Sequence, residues 1–176
     1  MALVERARTG DVAAFDALVE RVGGRIFRTA RAILRNDADA ADAAQETFFQ
    51  AWRDLPRLRD PERFDAWLGM ILMNRCRSGA RRRRTISIRE VHVDDVEMEL
   101  SPSSPSFSDE HAEADAVRRA FATLREDDRL LLAFHHVAGH SVAELGSMTG
   151  RPVGTVKSRL HAARAALERA LEAERR

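Results

Sequence analysis

The stretch from Ser141 to Leu171, SVAELGSMTGRPVGTVKSRLHAARAALERAL, constrains the fold most tightly. Ser141 followed three residues later by Glu144 has the form of a capping box, in which each side chain satisfies the other residue's free backbone N–H. Val142, Leu145 and Met148 then fall at helical spacing. Thr149-Gly150-Arg151-Pro152 breaks the helix, because Gly tolerates left-handed dihedrals and Pro suits the first turn of a new helix. Beyond it Val156, Leu160, Ala163, Leu167 and Leu171 recur at steps of four, three, four and four, one apolar stripe. A short helix, a Gly-containing turn and a second helix with a basic outer face form a helix-turn-helix signature. The same pattern also suits an ordinary αα-hairpin packed in a core.

The rest of the chain predicts an all-α protein. It is rich in Ala, Leu and Arg, and has no Tyr among its 176 residues; these are helix-favouring choices. A hydrophobic fraction of 44% with 32% charged residues fits a globular protein. No window of 18 consecutive apolar residues implies a membrane span, and no signal peptide is evident, so a cytoplasmic location is expected. Cys76 is the single cysteine, so neither an internal disulfide nor a multi-cysteine zinc site is available. His136 and His140 have i, i+4 spacing, but Gly139 interrupts the turn and no acidic third ligand is evident. Without a nucleophile–base pattern or a Gly-rich phosphate loop, no catalytic residue, metal or cofactor is expected.

The net charge of +1 hides a pattern. Residues 1–85 hold 17 arginines against 12 acids, residues 86–112 one arginine against 7 acids, and residues 113–176 11 basic residues against 9 acids. Two basic-leaning blocks separated by an acidic one imply a polyanionic partner touching both ends. Residues 86–112, acidic and then Ser/Pro-rich, read as a flexible linker, reaching about 90 Å when extended. The expected architecture is two small helical domains on that linker: three to four helices over 1–85, and four with the helix-turn-helix over 113–176.

In the first domain Asp11 can cap a long helix with Phe15, Leu18, Val22, Ile26, Ala30 and Ile33 inward, with Gly23-Gly24 as a point for a kink or split. A second helix in DADAADAAQETFFQAW has Ala41, Ala44, Phe48, Ala51, Trp52 and Leu55 as its expected buried stripe. Acids in its first turn suit the helix dipole. Asp42, Gln45, Glu46 and an exposed Phe49 instead suit a protein-docking face. Asp60-Pro61 starts a third helix that runs into six arginines between 75 and 84, more than a helix C-terminus requires and suited to phosphate contact.

Three blocks are together recognisable. GRPVGTVKSRLHAARAAL (150–167) resembles the promoter-reading helix-turn-helix of bacterial RNA polymerase sigma factors of the extracytoplasmic-function type. DAADAAQETFFQAW (39–52) resembles their polymerase-docking helix, and FDAWLGMILMNRCRSGARRRR (64–84) their helix that engages the upstream promoter element and melted DNA. The blocks occur in the family's order and, with the linker, cover nearly all of the chain. The chain departs from the family's pattern at Arg77, Ser78, Arg125, Gly146 and Ala162, which bears on which promoter sequences it reads.

The resemblance implies a sigma factor with no enzymatic activity. Its first domain would be sigma region two, docking on the clamp of the polymerase largest subunit and reading the −10 element. Its second would be region four, reading the −35 element and binding the flap of the second-largest subunit. Polymerase docking is carried over to Asp39, Gln45, Glu46, Phe49 and Arg53. The loop that holds a flipped −10 base falls on Arg57, Leu58, Arg59 and Asp60, with Asn74, Arg77 and Arg81 on the DNA side of the next helix. In the helix-turn-helix, with Val156 inward, Arg151, Lys157, Ser158 and His161 are base or phosphate contacts, and Thr155 and Arg159 phosphate contacts. An anti-sigma factor is the expected antagonist, and nucleoid association is expected when the protein is bound to polymerase. Against this stand a free-standing helix-turn-helix regulator, for which no dimer stripe is evident, and a His-based hydrolase, which no spacing supports.

Overall fold

In the computed structural model, residues 2–90 and 109–174 are described, with side chains for 2–82 and 113–174. All regular structure among them is helical: α1 (Ala2–Arg8), α2 (Val12–Leu34), α3 (Asp37–Asp54), α4 (Phe64–Glu90), α5 (Asp109–Thr123), α6 (Glu126–Leu132), α7 (Val142–Thr149) and α8 (Val153–Glu174). The all-α expectation holds. The linker expected at 86–112 shares its ends with α4 and α5, and its middle, 91–108, lies outside the described residues.

Side-chain caps set the boundaries in the first half. An Asp11 carboxylate oxygen accepts the Ala14 N–H at 3.0 Å and starts α2. Phe15, Leu18, Val22, Ile26, Ala30 and Ile33 form its buried face, as their spacing predicts. Gly23-Gly24 neither kinks nor splits it, since α2 is continuous over 23 residues. It ends at Arg35, which takes a left-handed φ of 61° and donates its N–H to Arg31 O at 2.8 Å. The Asn36 side chain then accepts the Asp39 N–H at 2.9 Å and opens α3.

The buried stripe of α3 is rotated from its expected position. Ala40, Ala43, Ala44, Thr47 and Ala51 face inward, whereas Ala41 is exposed and Trp52 lies at the surface. Alanines on every face of DADAADAA give the pattern no unique inward side. The Thr47 hydroxyl donates to Ala43 O at 2.6 Å, so its burial leaves no unpaired donor. Helix α1, not expected from the pattern, buries Val4 and Ala7 against α2. Phe64, Leu68, Ile71, Leu72, Met73 and Cys76 are the buried hydrophobic side chains of α4 among the described residues.

In the second half, Glu126, Asp127 and Asp128 occupy the positive first turn of α6. The helix continues as a π-helical turn over Ala133–Val137, where Ala138 N–H reaches Ala133 O at 3.0 Å. Five consecutive residues, Leu130 to Phe134, are buried, because this segment is covered on several sides. Helices α5, α6 and α7 all pack on α8. The two halves also touch: α2 packs against α6 and the π-helical turn, and α4 against α7. Their buried side chains form one contiguous cluster.

Candidate polymerase and promoter interfaces

The helix-turn-helix is built as its sequence predicts. Ser141 Oγ accepts the Glu144 N–H at 3.2 Å, and Glu144 Oε2 accepts the Ser141 N–H at 2.7 Å, a complete capping box. These bonds hold the Glu144 carboxyl below the usual carboxylate range, the backbone bond from Ser141 contributing most. Gly150 ends α7 at φ +66°, and the Arg151 N–H returns to Gly146 O at 3.0 Å. Val156 N–H then bonds Pro152 O at 3.1 Å and opens α8.

Val156, Leu160 and Ala163 of α8 are buried, so Thr155, Lys157, Ser158, Arg159 and His161 are left exposed along one side. Arg151 sits half-buried in the turn. The residues are not equally available to a ligand. The Ser158 hydroxyl donates to Thr155 O at 3.0 Å, within its own helix. Arg159 lies 3.6 Å from the Asp127 carboxylate on α6.

The expected docking residues Asp39, Glu46, Phe49 and Arg53, with Asp42, recur along α3 at alternating steps of three and four, one helical face. Gln45, Glu46, Phe49 and Arg53 line an open groove of about 650 Å³ together with Phe15 and Trp52. Asp39 lies at the helix's N-terminal end, outside it. Phe49 is 69% exposed, unusual for so large an apolar side chain. The Trp52 ring packs on Phe15, ring centroids 4.9 Å apart, forming an aromatic wall beside it. Arg75 of α4 reaches Glu46 at 3.2 Å and Gln50 at 2.5 Å. One of the six arginines read as phosphate-binding therefore braces the docking face from behind. Gln50, Trp52 and Arg75 are groove residues that sequence reasoning missed; periodicity alone placed Trp52 inward.

The loop before α4 separates its expected contacts. Arg57, Arg59 and Asp60 are exposed, but the Leu58 side chain is buried at 7% exposure. Leu58 follows a short 3₁₀ turn over Leu55–Arg57, its N–H bonded to Leu55 O, and joins the core rather than the loop surface. Asp60 accepts the Glu62 N–H at 3.0 Å, capping the turn that leads into α4. Asn74, Arg77 and Arg81 follow at steps of three and four along α4, with Asn74 and Arg81 exposed. The side chains of Arg83 and Arg84 lie outside the described residues.

Among the described residues no group of three or more His, Cys, Asp or Glu side chains could hold a metal ion. No described helix is long and apolar enough to cross a membrane.

Residues 18–86 match the family model for sigma-70 region 2, and residues 114–167 that for sigma-70 region 4. The RNA polymerase sigma-H factor of Pseudomonas aeruginosa is 33% identical over 181 residues, 97% of this chain and 92% of that protein. The ECF RNA polymerase sigma-E factor of Escherichia coli K12 is 30% identical over 176 residues, covering 94% of this chain and 91% of its own length. Among solved structures, CnrH in complex with the cytosolic domain of CnrY superposes with a TM-score of 0.70 at 28% identity, over 98% of this chain and 96% of that one. The sigma factor RpoE of Bartonella quintana, in complex with the anti-sigma factor NepR, shares the fold, with a TM-score of 0.74 at 24% identity over 92% of this chain and 98% of its own. With both sigma-70 regions matched in order and full-length relatives of one type, the chain belongs to the extracytoplasmic-function family of RNA polymerase sigma factors.

Proposed function

We propose that this sigma factor docks on core RNA polymerase through the groove face of α3 and reads both promoter elements from its two halves. Exposed Phe49 beside Gln45, Glu46 and Arg53 carries this reading: an apolar anchor ringed by polar and charged groups is the anatomy of an interface centre. Residues 1–85 serve the clamp of the largest subunit and the −10 element, with Arg57, Arg59, Asp60, Asn74, Arg77 and Arg81 toward the DNA and assisting its melting. Residues 113–176 serve the flap of the second-largest subunit and the −35 element through the exposed side of α8, and 86–112 join the two as a linker. The protein works by binding and carries out no reaction of its own. It acts in the cytoplasm, at the nucleoid when polymerase-bound, and an anti-sigma factor is its expected antagonist, as the named partner of the Bartonella quintana relative suggests.

Purified protein should bind core polymerase at low salt and direct run-off transcription from a cognate promoter. Absence of core binding under those conditions would sink the reading.

A further inference from the structure

We propose that the solvent face of α2 is a further DNA contact, a sequence-independent seat for the phosphates of a duplex, separate from the −10 and −35 surfaces. It rests on the functional reading above only in taking DNA as the ligand. Two independent observations carry the rest.

The first is charge. Residues 21–35 contain five arginines and no acid. Arg21, Gly24, Arg28, Arg31 and Arg35 follow at steps of three, four, three and four, so they share one face of the helix. All five are exposed, opposite the buried face that includes Val22, Ile26 and Ile33. At a rise of 1.5 Å per residue, Arg21, Arg28 and Arg35 stand about 10 Å apart in succession. They are not equally free. Arg31 pairs with Asp37 at 2.8 Å, and Arg35 donates to Ala122 O at 3.1 Å. Arg25, on the flank of the stripe, reaches Asp65 at 2.5 Å. Arg21 and Arg28 make no ion pair among the described residues, and the acids of α2, Asp16 and Glu20, precede the stripe. Two guanidiniums without carboxylates on an acid-free face keep their charge and their forked donors for a ligand.

The second is a pair of glycines that the fold does not use. Glycine is the least favourable helix-interior residue after proline, yet α2 runs unbroken through Gly23 and Gly24, and neither takes a positive φ. A Cβ built at Gly23 meets nothing within 4 Å. One built at Gly24 meets only the flexible tip of Arg28, Nη1 at 3.3 Å. Packing therefore requires neither glycine. At position 24 the missing side chain leaves bare backbone in the middle of the arginine stripe, where a bulky ligand can come close. Gly23 lies off the stripe and serves as its control.

The charge selects a polyanion, and what the face lacks selects duplex DNA. A protein interface is centred on exposed aromatic or apolar anchors, and single-strand binders stack bases on aromatic rings. This face offers neither. Phe27, the aromatic residue of the stretch, packs against the core, and the exposed rings Phe49 and Trp52 belong to α3. Duplex phosphates need only positive charge and a close approach.

Titration of the full chain with a labelled duplex that lacks promoter elements, at several salt concentrations, reads the contact. Replacing Arg21 and Arg28 together by Gln removes two phosphate contacts, so the slope of log affinity against log salt should become shallower by about 1.8. Helical circular dichroism should not change, since both side chains are exposed. Gly24→Leu should raise the melting temperature by roughly 2–4 °C as a better helix former. It should nevertheless weaken duplex binding about threefold or more, as part of one phosphate contact is lost. Gly23→Ala should also raise the melting temperature and bind the duplex as the wild type does. A double-arginine variant with the wild-type slope, or a Gly24→Leu protein that binds as tightly as Gly23→Ala, would overturn the contact. Variants that lose affinity for a single-stranded probe or for core polymerase, but not for the duplex, would also overturn it and give the face to that partner. If the slope falls as expected but the chain never binds core polymerase, the α2 contact stands and the functional reading fails.

Discussion

The capping box at Ser141 offers the sharpest energetic test, because α7 is only eight residues long and a helix of that length is marginal by itself. Ser141 Oγ is the acceptor for the Glu144 N–H, one of four amides at the start of α7 with no partner inside the helix. Replacing Ser141 by Ala removes that acceptor at about 1 kcal/mol. Glu144 Oε2 can still accept the Ser141 N–H, and the second bond lost, from the Ser141 hydroxyl to that same oxygen, is solvent-exposed. For a chain of this size the melting temperature should fall by roughly 2–4 °C, read by circular dichroism. The diagnostic feature is an inverted order. Glycine, usually the worse helix residue, should cost only a few tenths of a kcal/mol at an N-cap. Asp should nearly restore the wild type. Glu144→Ala should add a loss of about 0.3–1 kcal/mol through the helix dipole. Its sum with Ser141→Ala should fall short of additive, because the two side chains bond each other at 2.7 Å. Because the Glu144 carboxyl is held below its ordinary value of 4.5, its share is present above that pH and fades as pH falls through its lowered titration. A Ser141→Gly protein that melts at or below Ser141→Ala would refute the cap as the origin of the effect.

Three further outcomes are expected from the geometry. Phe49→Ala should leave stability within about 0.5 kcal/mol, since the ring is exposed, yet cost about 2 kcal/mol or more of core polymerase affinity, roughly thirtyfold, in a binding titration; unchanged affinity would remove Phe49 from the interface. Burial pushes the Cys76 thiol up to about 12, so a thiol reagent at pH 8 should label it only as fast as the fold opens; immediate stoichiometric labelling of the native chain would contradict that burial. Burial also holds the His140 imidazole below its ordinary 6.5, although Glu144 and Asp65 favour its charged form and Arg25 opposes it. A group buried neutral contributes fully above its unperturbed value, and its contribution is lost as pH falls below that value. Thermal stability should therefore fall between about pH 7.5 and 5.5 in the wild type, and less over that range in His140→Leu, as read by melting curves.

Much of the fold is legible in residues whose chemistry acts locally. Asp11, Asn36, Asp60 and Ser141 each cap the helix or turn on their C-terminal side, because a short polar side chain before an apolar period has a single near partner, the amide two or three residues on. The stripe of α8 can be read because Val156 and Leu160 stand among polar residues. In α3 the hydrophobic set is alanine on several faces, so the inward direction is settled by the helices it packs on rather than by its own period. Leu58 shows the same limit: one leucine between two arginines has no period, and a 3₁₀ turn decides where it points. The groove's third dimension is not legible at all. Phe15 and Arg75 come from other helices, 30 and 29 residues from Gln45 and Glu46, and only packing brings them to one wall.

The same distinction bears on how strongly the protein can hold DNA alone. Sequence counting assigns α8 and its turn three permanent cations among the expected contacts: Arg151, Lys157 and Arg159. Of these, Arg159 lies near Asp127 and Arg151 is half-buried, leaving Lys157 as the exposed cation of that set without an ion pair among the described residues. Each phosphate contact adds only about 0.9 to the salt slope of duplex binding, so a surface this sparse supports weak binding by itself. Linking two weak surfaces on one scaffold converts the second contact into an intramolecular event at an effective concentration near the millimolar range. A polymerase that holds both α3 and α8 would supply that scaffold. Weak intrinsic DNA affinity then serves one end: promoter reading by a chain already seated on its enzyme.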